Sequence, residues 1–240
     1  MVVRQLQTLL RMNERVQELI RDFQGFVMHF DNTPLFSGPS LYFHKKVINT
    51  LSQIGIQKAI ENELFLEYLY ATLASWGLHR MGDTNTKLVD FEKFKGSIHG
   101  NKDMILGLKD EKITNINKNS NIIDHLEKLI DNLKIGEGET KLIFNSKTLH
   151  HLLPNLIPPI DRQYTLLFFY NSTGPPCIEN CFSEIYPKFV EIALSRKDDI
   201  IKKVGTGFHT SESKVVDNAI VGYVLKNNLK DQKKKKSASM

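Results

Sequence analysis

The side chains best suited to chemistry crowd into one stretch, Ser146-Lys147-Thr148-Leu149-His150-His151-Leu152-Leu153-Pro154-Asn155-Leu156-Ile157-Pro158-Pro159-Ile160-Asp161-Arg162-Gln163-Tyr164. An amine at Lys147 can attack a carbonyl carbon and hold it as an imine, provided burial or a charged neighbour leaves it partly neutral. A carboxylate at Asp161 can stabilise positive charge that develops in a transition state. Pro158 and Pro159 fix φ and hold an extended approach, which delivers Asp161 to an N-cap-like position. There, backbone N–H groups and the helix dipole favour its negative charge. The bland alternatives are a capping aspartate and a solvated helix lysine. His150 and His151 are adjacent, so on a helix they project about 100° apart and do not chelate one ion together. No neighbour has ligand spacing, and no metal site is expected.

A second cluster is Trp76-Gly77-Leu78-His79-Arg80-Met81-Gly82. His79 and Arg80 are of the types that contact phosphate, and Trp76 of the type that stacks on a base. The alternative is a core tryptophan beneath a helix C-cap whose dipole suits the two basic side chains.

The elements that position these residues read as helices. Apolar residues at helical spacing predict a helix over about 3–30, ended by Asp31-Asn32-Thr33-Pro34. Pro39 sits well in the first turn of the next, with Val47, Ile48 and Leu51 on its buried face and Gly55 as its stop. Glu63 to Trp76 is apolar nearly all round, the pattern of a central helix, with Gly77 as C-cap. One or two short helices follow over 91–108. Ile122, Leu126, Leu129 and Leu133, behind Ser120 as N-cap, give the cleanest amphipathic helix. Residues 140–153 form a helix stopped by Pro154, and Asp161 or Arg162 opens another through Tyr170. Ile178 to Lys203 forms one or two helices, kinked or divided by Pro187. Thr210 or Ser211 caps a last helix to about Lys226. The expected fold is all-α, a single multi-helix domain over 1–228 with a disordered Lys-rich tail over 229–240.

The chain has 240 residues, 41% hydrophobic and 25% charged, enough for a core without disulfides or structural metal. No apolar run is long enough to span a membrane, so no membrane partner is expected. No export signal is visible, which points to a reducing, cytoplasmic setting and to Cys177 and Cys181 as thiols. The net charge of +5 is concentrated in the last residues, where five lysines and one aspartate fall between Lys230 and Met240. The rest is nearly neutral, and a nucleic-acid face there requires local clustering. P-loop, G-x-G-x-x-G, H-E-x-x-H, G-x-S-x-G, zinc-finger and kinase signatures are absent, which argues against nucleotide-dependent and zinc enzymes and predicts no cofactor.

The segment over 146–164 resembles the helix-hairpin-helix, endonuclease-III-like DNA glycosylase superfamily, in which a K-T-A helix is followed by P-V-D-T-H-V opening the next helix. Lys147-Thr148-Leu149 is similar to the first element, and Pro159-Ile160-Asp161-Arg162-Gln163-Tyr164 to the second. The resemblance implies an all-helical fold, DNA as partner, Lys147 as the lysine that forms the Schiff base, and Asp161 as the catalytic aspartate. Where the family places hairpin glycines against a phosphate, this chain has Leu142-Ile143-Phe144-Asn145-Ser146, so that contact falls to Asn145 and Ser146. Arg162, His79 and Arg80 complete the candidate nucleic-acid contacts. The segment is also similar to one in microbial proteins that read S-K-x-L-H-H-L-L-P then P-P-x-D-R, a likeness that implies no activity. The functional expectation is a DNA-binding protein with glycosylase- or lyase-like base-excision chemistry. The alternatives are a non-catalytic helical binding module and a small-molecule enzyme using the same residues.

Overall fold

Prolines, glycines and side-chain caps set boundaries of the helices. The computed structural model describes residues 2–33, 37–80, 87–116, 121–137, 141–174 and 181–230. The helices are α1 (Val2–Arg21), α2 (Phe23–Asp31), α3 (Gly38–Ile54), α4 (Ile56–Glu61), α5 (Glu63–Leu73), α6 (Phe91–Gly100), α7 (Lys102–Gly107), α8 (Ile122–Asn132), α9 (Lys141–Leu152), α10 (Thr165–Tyr170), α11 (Cys181–Ser195), α12 (Lys197–Lys203) and α13 (Glu212–Lys226). Among the described residues the only β-type pairing is an isolated antiparallel bridge between Leu88 and Gly136. The fold is all-α, as the periodicity predicts, and no described helix is long and apolar enough to cross a membrane.

Three boundaries differ from the sequence reading, each for a local reason. The first long helix is two. Asp22 leaves the helical region (φ −114°, ψ 39°), and Arg196 donates to the carbonyls of Ile20 and Arg21 that the end of α1 exposes. The helix expected from Asp161 begins at Thr165. The Asp161 carboxylate accepts the Tyr164 N–H at 2.7 Å, and the Asp161 N–H donates to Thr165 Oγ1 at 3.1 Å, which closes a tight turn ahead of α10. Pro187 is accommodated inside α11, and the division comes instead at Arg196 (φ −126°). Ser120 and Cys177 lie outside the described residues.

The chain folds into two compact units. One comprises 1–33 with 160–240, the other 34–159. In the first, α13 packs on α2, and the close approach requires Gly222: a Cβ there would lie 2.0 Å from the Phe26 carbonyl oxygen. Helix α10, Thr-Leu-Leu-Phe-Phe-Tyr, is buried on every residue and touches α1 and α13. Leu229 is buried and Lys230 lies 3.6 Å from the Tyr164 ring centre, so ordered packing continues past residue 228. The rest of the tail read as disordered over 229–240, residues 231–240, lies outside the described residues.

In the second unit, α3, α5, α8 and α9 form the core. Ile122, Leu126, Leu129 and Leu133 are buried, as their spacing predicts. Helix α9 is buried along Leu142–Leu152 although it carries Asn145, Ser146, Lys147, Thr148, His150 and His151. So many polar groups inside require internal hydrogen bonds, because an unmade buried bond costs about 1–3 kcal/mol.

Candidate functional site

Three helices of the 34–159 unit bring the chemistry-bearing residues of α9 together with two aromatic partners. Helix α3 supplies His44, four positions after Ser40 and three before buried Val47. Helix α5 ends in a wider π-helical turn, Ala74–Leu78, where Gly77 takes φ +79°, a conformation open to glycine. That turn presents Trp76, half-buried, with its indole N–H donated to the Ser40 carbonyl at 3.2 Å. Helix α9 supplies Lys147, His150 and His151.

The Lys147 side chain is not solvated. The residue is 9% exposed, and its amine lies 3.4 Å from the Trp76 carbonyl oxygen and 5.8 Å from the indole centre. A cation over the face of an indole is an attractive arrangement. Lys147 is thus a buried lysine rather than a solvated helix residue, which the sequence could not show.

The histidines are ordered by acceptors that fix their protons. His151 Nδ1 lies 2.7 Å from the carbonyl oxygen of Lys147, one turn earlier, and a carbonyl only accepts, so Nδ1 carries hydrogen. In the neutral ring Nε2 is then an acceptor, and His44 Nδ1, 2.9 Å away, must donate to it. His150 Nδ1 donates to the Ile157 carbonyl at 2.8 Å. All three rings are therefore held as Nδ1–H tautomers. His44 and His150 lie nearly parallel, 6.0 Å apart, and His44 stacks on Trp76 at 5.3 Å. His151 meets the indole edge-on at 4.8 Å. Among the described residues no group of three or more His, Cys, Asp or Glu is arranged to hold a metal ion.

The expected phosphate contacts on this helix have other work. Asn145 is 1% exposed, and its amide donates to the carbonyls of Ile130 and Leu133 at 2.7 and 2.9 Å, which closes the end of α8. Ser146 is fully buried, with its hydroxyl 3.4 Å from the Ile143 carbonyl. Neither side chain presents itself to a backbone phosphate. His79 and Arg80 are exposed just past the Trp76 turn.

Asp161 belongs to the other unit, where it is partly exposed and its carboxylate is engaged as a turn cap on Tyr164. Burial raises the Tyr164 phenol above its ordinary pKa, and the negative charges of Asp161 and Asp217 add to the shift. Arg162 is exposed. The same unit holds a polar network that sequence reasoning missed. His209, 1% exposed, donates from Nε2 to Asp31 at 2.7 Å and accepts at Nδ1 from the Asn218 amide at 3.1 Å, while Lys203 holds the other Asp31 oxygen at 2.7 Å. Asp31 and Lys203 line a cavity of about 390 Å³ with Phe23, Val27 and Met28.

His44 was legible in principle, because 44, 47 and 51 share a helix face. His209 follows Gly205 and Gly207 in a loop and carried no such signal. Comparison of the chain with family models, curated proteins and solved structures finds no match.

Proposed function

We propose that the 34–159 unit carries a lysine site that acts on DNA by glycosylase- or lyase-type base excision, with Lys147 as the nucleophilic amine. The observation that carries this reading is the burial of the Lys147 amine against the half-buried face of Trp76. An enzyme that works on a nucleotide sugar must take the nucleotide out of the stack. An indole offers the extruded base a surface, and an adjacent amine can capture the sugar aldehyde carbon. The amine adds to that carbon, water leaves, and the imine so formed is reducible. Exposed His79 and Arg80, next to the Trp76 turn, are the phosphate contacts of this reading.

The test is borohydride trapping on abasic and damaged duplexes with wild type, Lys147→Ala and Asp161→Asn. A covalent adduct that disappears in Lys147→Ala supports the assignment. Base release without an adduct leaves Asp161 as the catalytic candidate. No adduct and no base release on any duplex overturns the enzyme.

One observation favours a non-catalytic binding module. The Asp161 carboxylate already caps a turn through the Tyr164 N–H, which is the work of a structural aspartate. On that reading both variants bind duplex as wild type does and no chemistry is seen.

A further inference from the structure

We infer that His209, Asn218 and Asp31 form a proton-operated latch that holds the loop between α12 and α13, closed when His209 is neutral and opened when it is protonated. The latch rests on hydrogen-bond polarity. The Asn218 amide nitrogen donates both to the Phe208 carbonyl and to His209 Nδ1, each at 3.1 Å. The carbonyl can only accept, so the amide cannot be turned round, and Nδ1 must hold a lone pair. His209 is therefore the Nε2–H tautomer and gives that proton to Asp31.

A second proton has one place to go, Nδ1, where it meets the Asn218 N–H head on. Rotation of the amide would bring Asn218 Oδ1 to the new proton but set it against the Phe208 carbonyl. That oxygen is buried and has no hydrogen-bond partner within the described residues. The closed latch thus already strains one acceptor, and neither amide orientation satisfies the protonated ring.

The charges that face His209 act together. Asp31, from α2, attracts a proton; Lys203, from α12, and Lys214, from α13, oppose it. Lys214 is itself paired with Asp217. Burial outweighs the attraction and holds His209 below its ordinary pKa. Gly205 and Gly207 take φ +88° and +57°, and the loop's own ties include Gly205 N–H to the His209 carbonyl and His209 N–H to the Thr206 carbonyl. Since Asp31 and Lys203 also line the cavity over Phe23, Val27 and Met28, opening changes the wall of that cavity.

The experiment is hydrogen exchange on the full chain between pH 7.5 and 5, corrected for intrinsic exchange, with the His209 ring followed by NMR. The expected result is a several-fold loss of protection at the Gly205 and His209 amides, with the midpoint at which His209 gains its proton. His209→Gln, which keeps a donor for Asp31 and cannot titrate, removes the response. Asn218→Asp sets a carboxylate beside Nδ1, so His209 titrates at higher pH. Equal protection at both pH values in wild type overturns the latch, as does an unchanged response in His209→Gln. If either variant fails to fold, the wild-type titration decides: a His209 midpoint at or above that of an ordinary histidine overturns it.

Discussion

Both units bury histidines, but they anchor them to different partners. In the 34–159 unit the acceptors are backbone carbonyls, from Lys147 and Ile157, and the rings are held as Nδ1–H tautomers. In the other unit the acceptor is the Asp31 carboxylate and the ring is the Nε2–H tautomer. A backbone carbonyl fixes a ring without bringing a full charge to it. A carboxylate on another helix ties two elements together and brings charge, which makes the tie sensitive to protons. The first arrangement suits a rigid floor beneath Lys147 and Trp76. The second suits a joint.

The largest expected effect separates the two units chemically. Lys147→Ala removes the borohydride adduct altogether, whereas His209→Gln leaves it at wild-type yield. An adduct that survives Lys147→Ala would move the nucleophile elsewhere and end the contrast.

The next effect is on stability. His151→Phe takes the acceptor from His44 Nδ1–H and the donor from the Lys147 carbonyl inside a buried site. The expected loss in urea unfolding is about 2–3 kcal/mol, since a stranded buried donor costs its desolvation as well as its bond. Adding His44→Phe removes the stranded group, so the double variant recovers part of that loss. His209→Phe leaves Asp31 partly exposed and still held by Lys203 but likewise strands a buried Asn218 N–H, so its cost is similar, about 2–3 kcal/mol. Additive losses for His44 and His151 would show that the pair is not coupled.

Acid separates the units further. The folded-state pKa of His209 lies below its unfolded value, so the folded protein binds fewer protons there, and this contribution is complete above about pH 6.5. It is lost as pH falls from there through the folded value. For Asp31, partial burial works towards a higher pKa, but hydrogen bonds from Lys203 and His209 hold it below the usual carboxylate range. Its contribution is present above about pH 4 and lost below. Melting temperature should therefore fall in two steps on acidification, and His209→Gln should flatten the upper one. A wild-type profile that is flat from pH 7 to 5 contradicts the assignment.

The helices were readable because their apolar spacing and their punctuation agree. Pro39, Gly55 and Gly77 fall where α3 starts and where α3 and the Trp76 turn end, and the face of α8 is the one its leucines draw. The site was only partly readable. Lys147, His150 and His151 share one helix with Leu149 and Leu152, so the sequence named them. Their burial depends on α3 and α5, which lie about a hundred and about seventy residues earlier, and no local pattern encodes that meeting. Asn145 shows the same limit from the other side. Its position suggested a phosphate contact, and its amide instead closes the end of α8.

The smallest effect is the most direct reading of the comparison. An imidazole in water prefers hydrogen on Nε2, so an Nδ1–H form reports an acceptor fixed close to that atom. In this chain the carbonyls of Lys147 and Ile157 impose it on His151 and His150, and the acceptor nitrogen of His151 imposes it in turn on His44. Long-range ¹H–¹⁵N correlations on histidine-labelled protein near neutral pH should show the Nδ1–H pattern for these three and the Nε2–H pattern for His209. His151→Phe removes the reason for His44 to hold hydrogen on Nδ1, so its pattern should relax towards Nε2–H while His150, tied separately to Ile157, keeps its own. If His150 changes together with His44, the rings are coupled through their stacking rather than ordered by separate hydrogen bonds, and the floor beneath Lys147 is one cooperative aromatic stack.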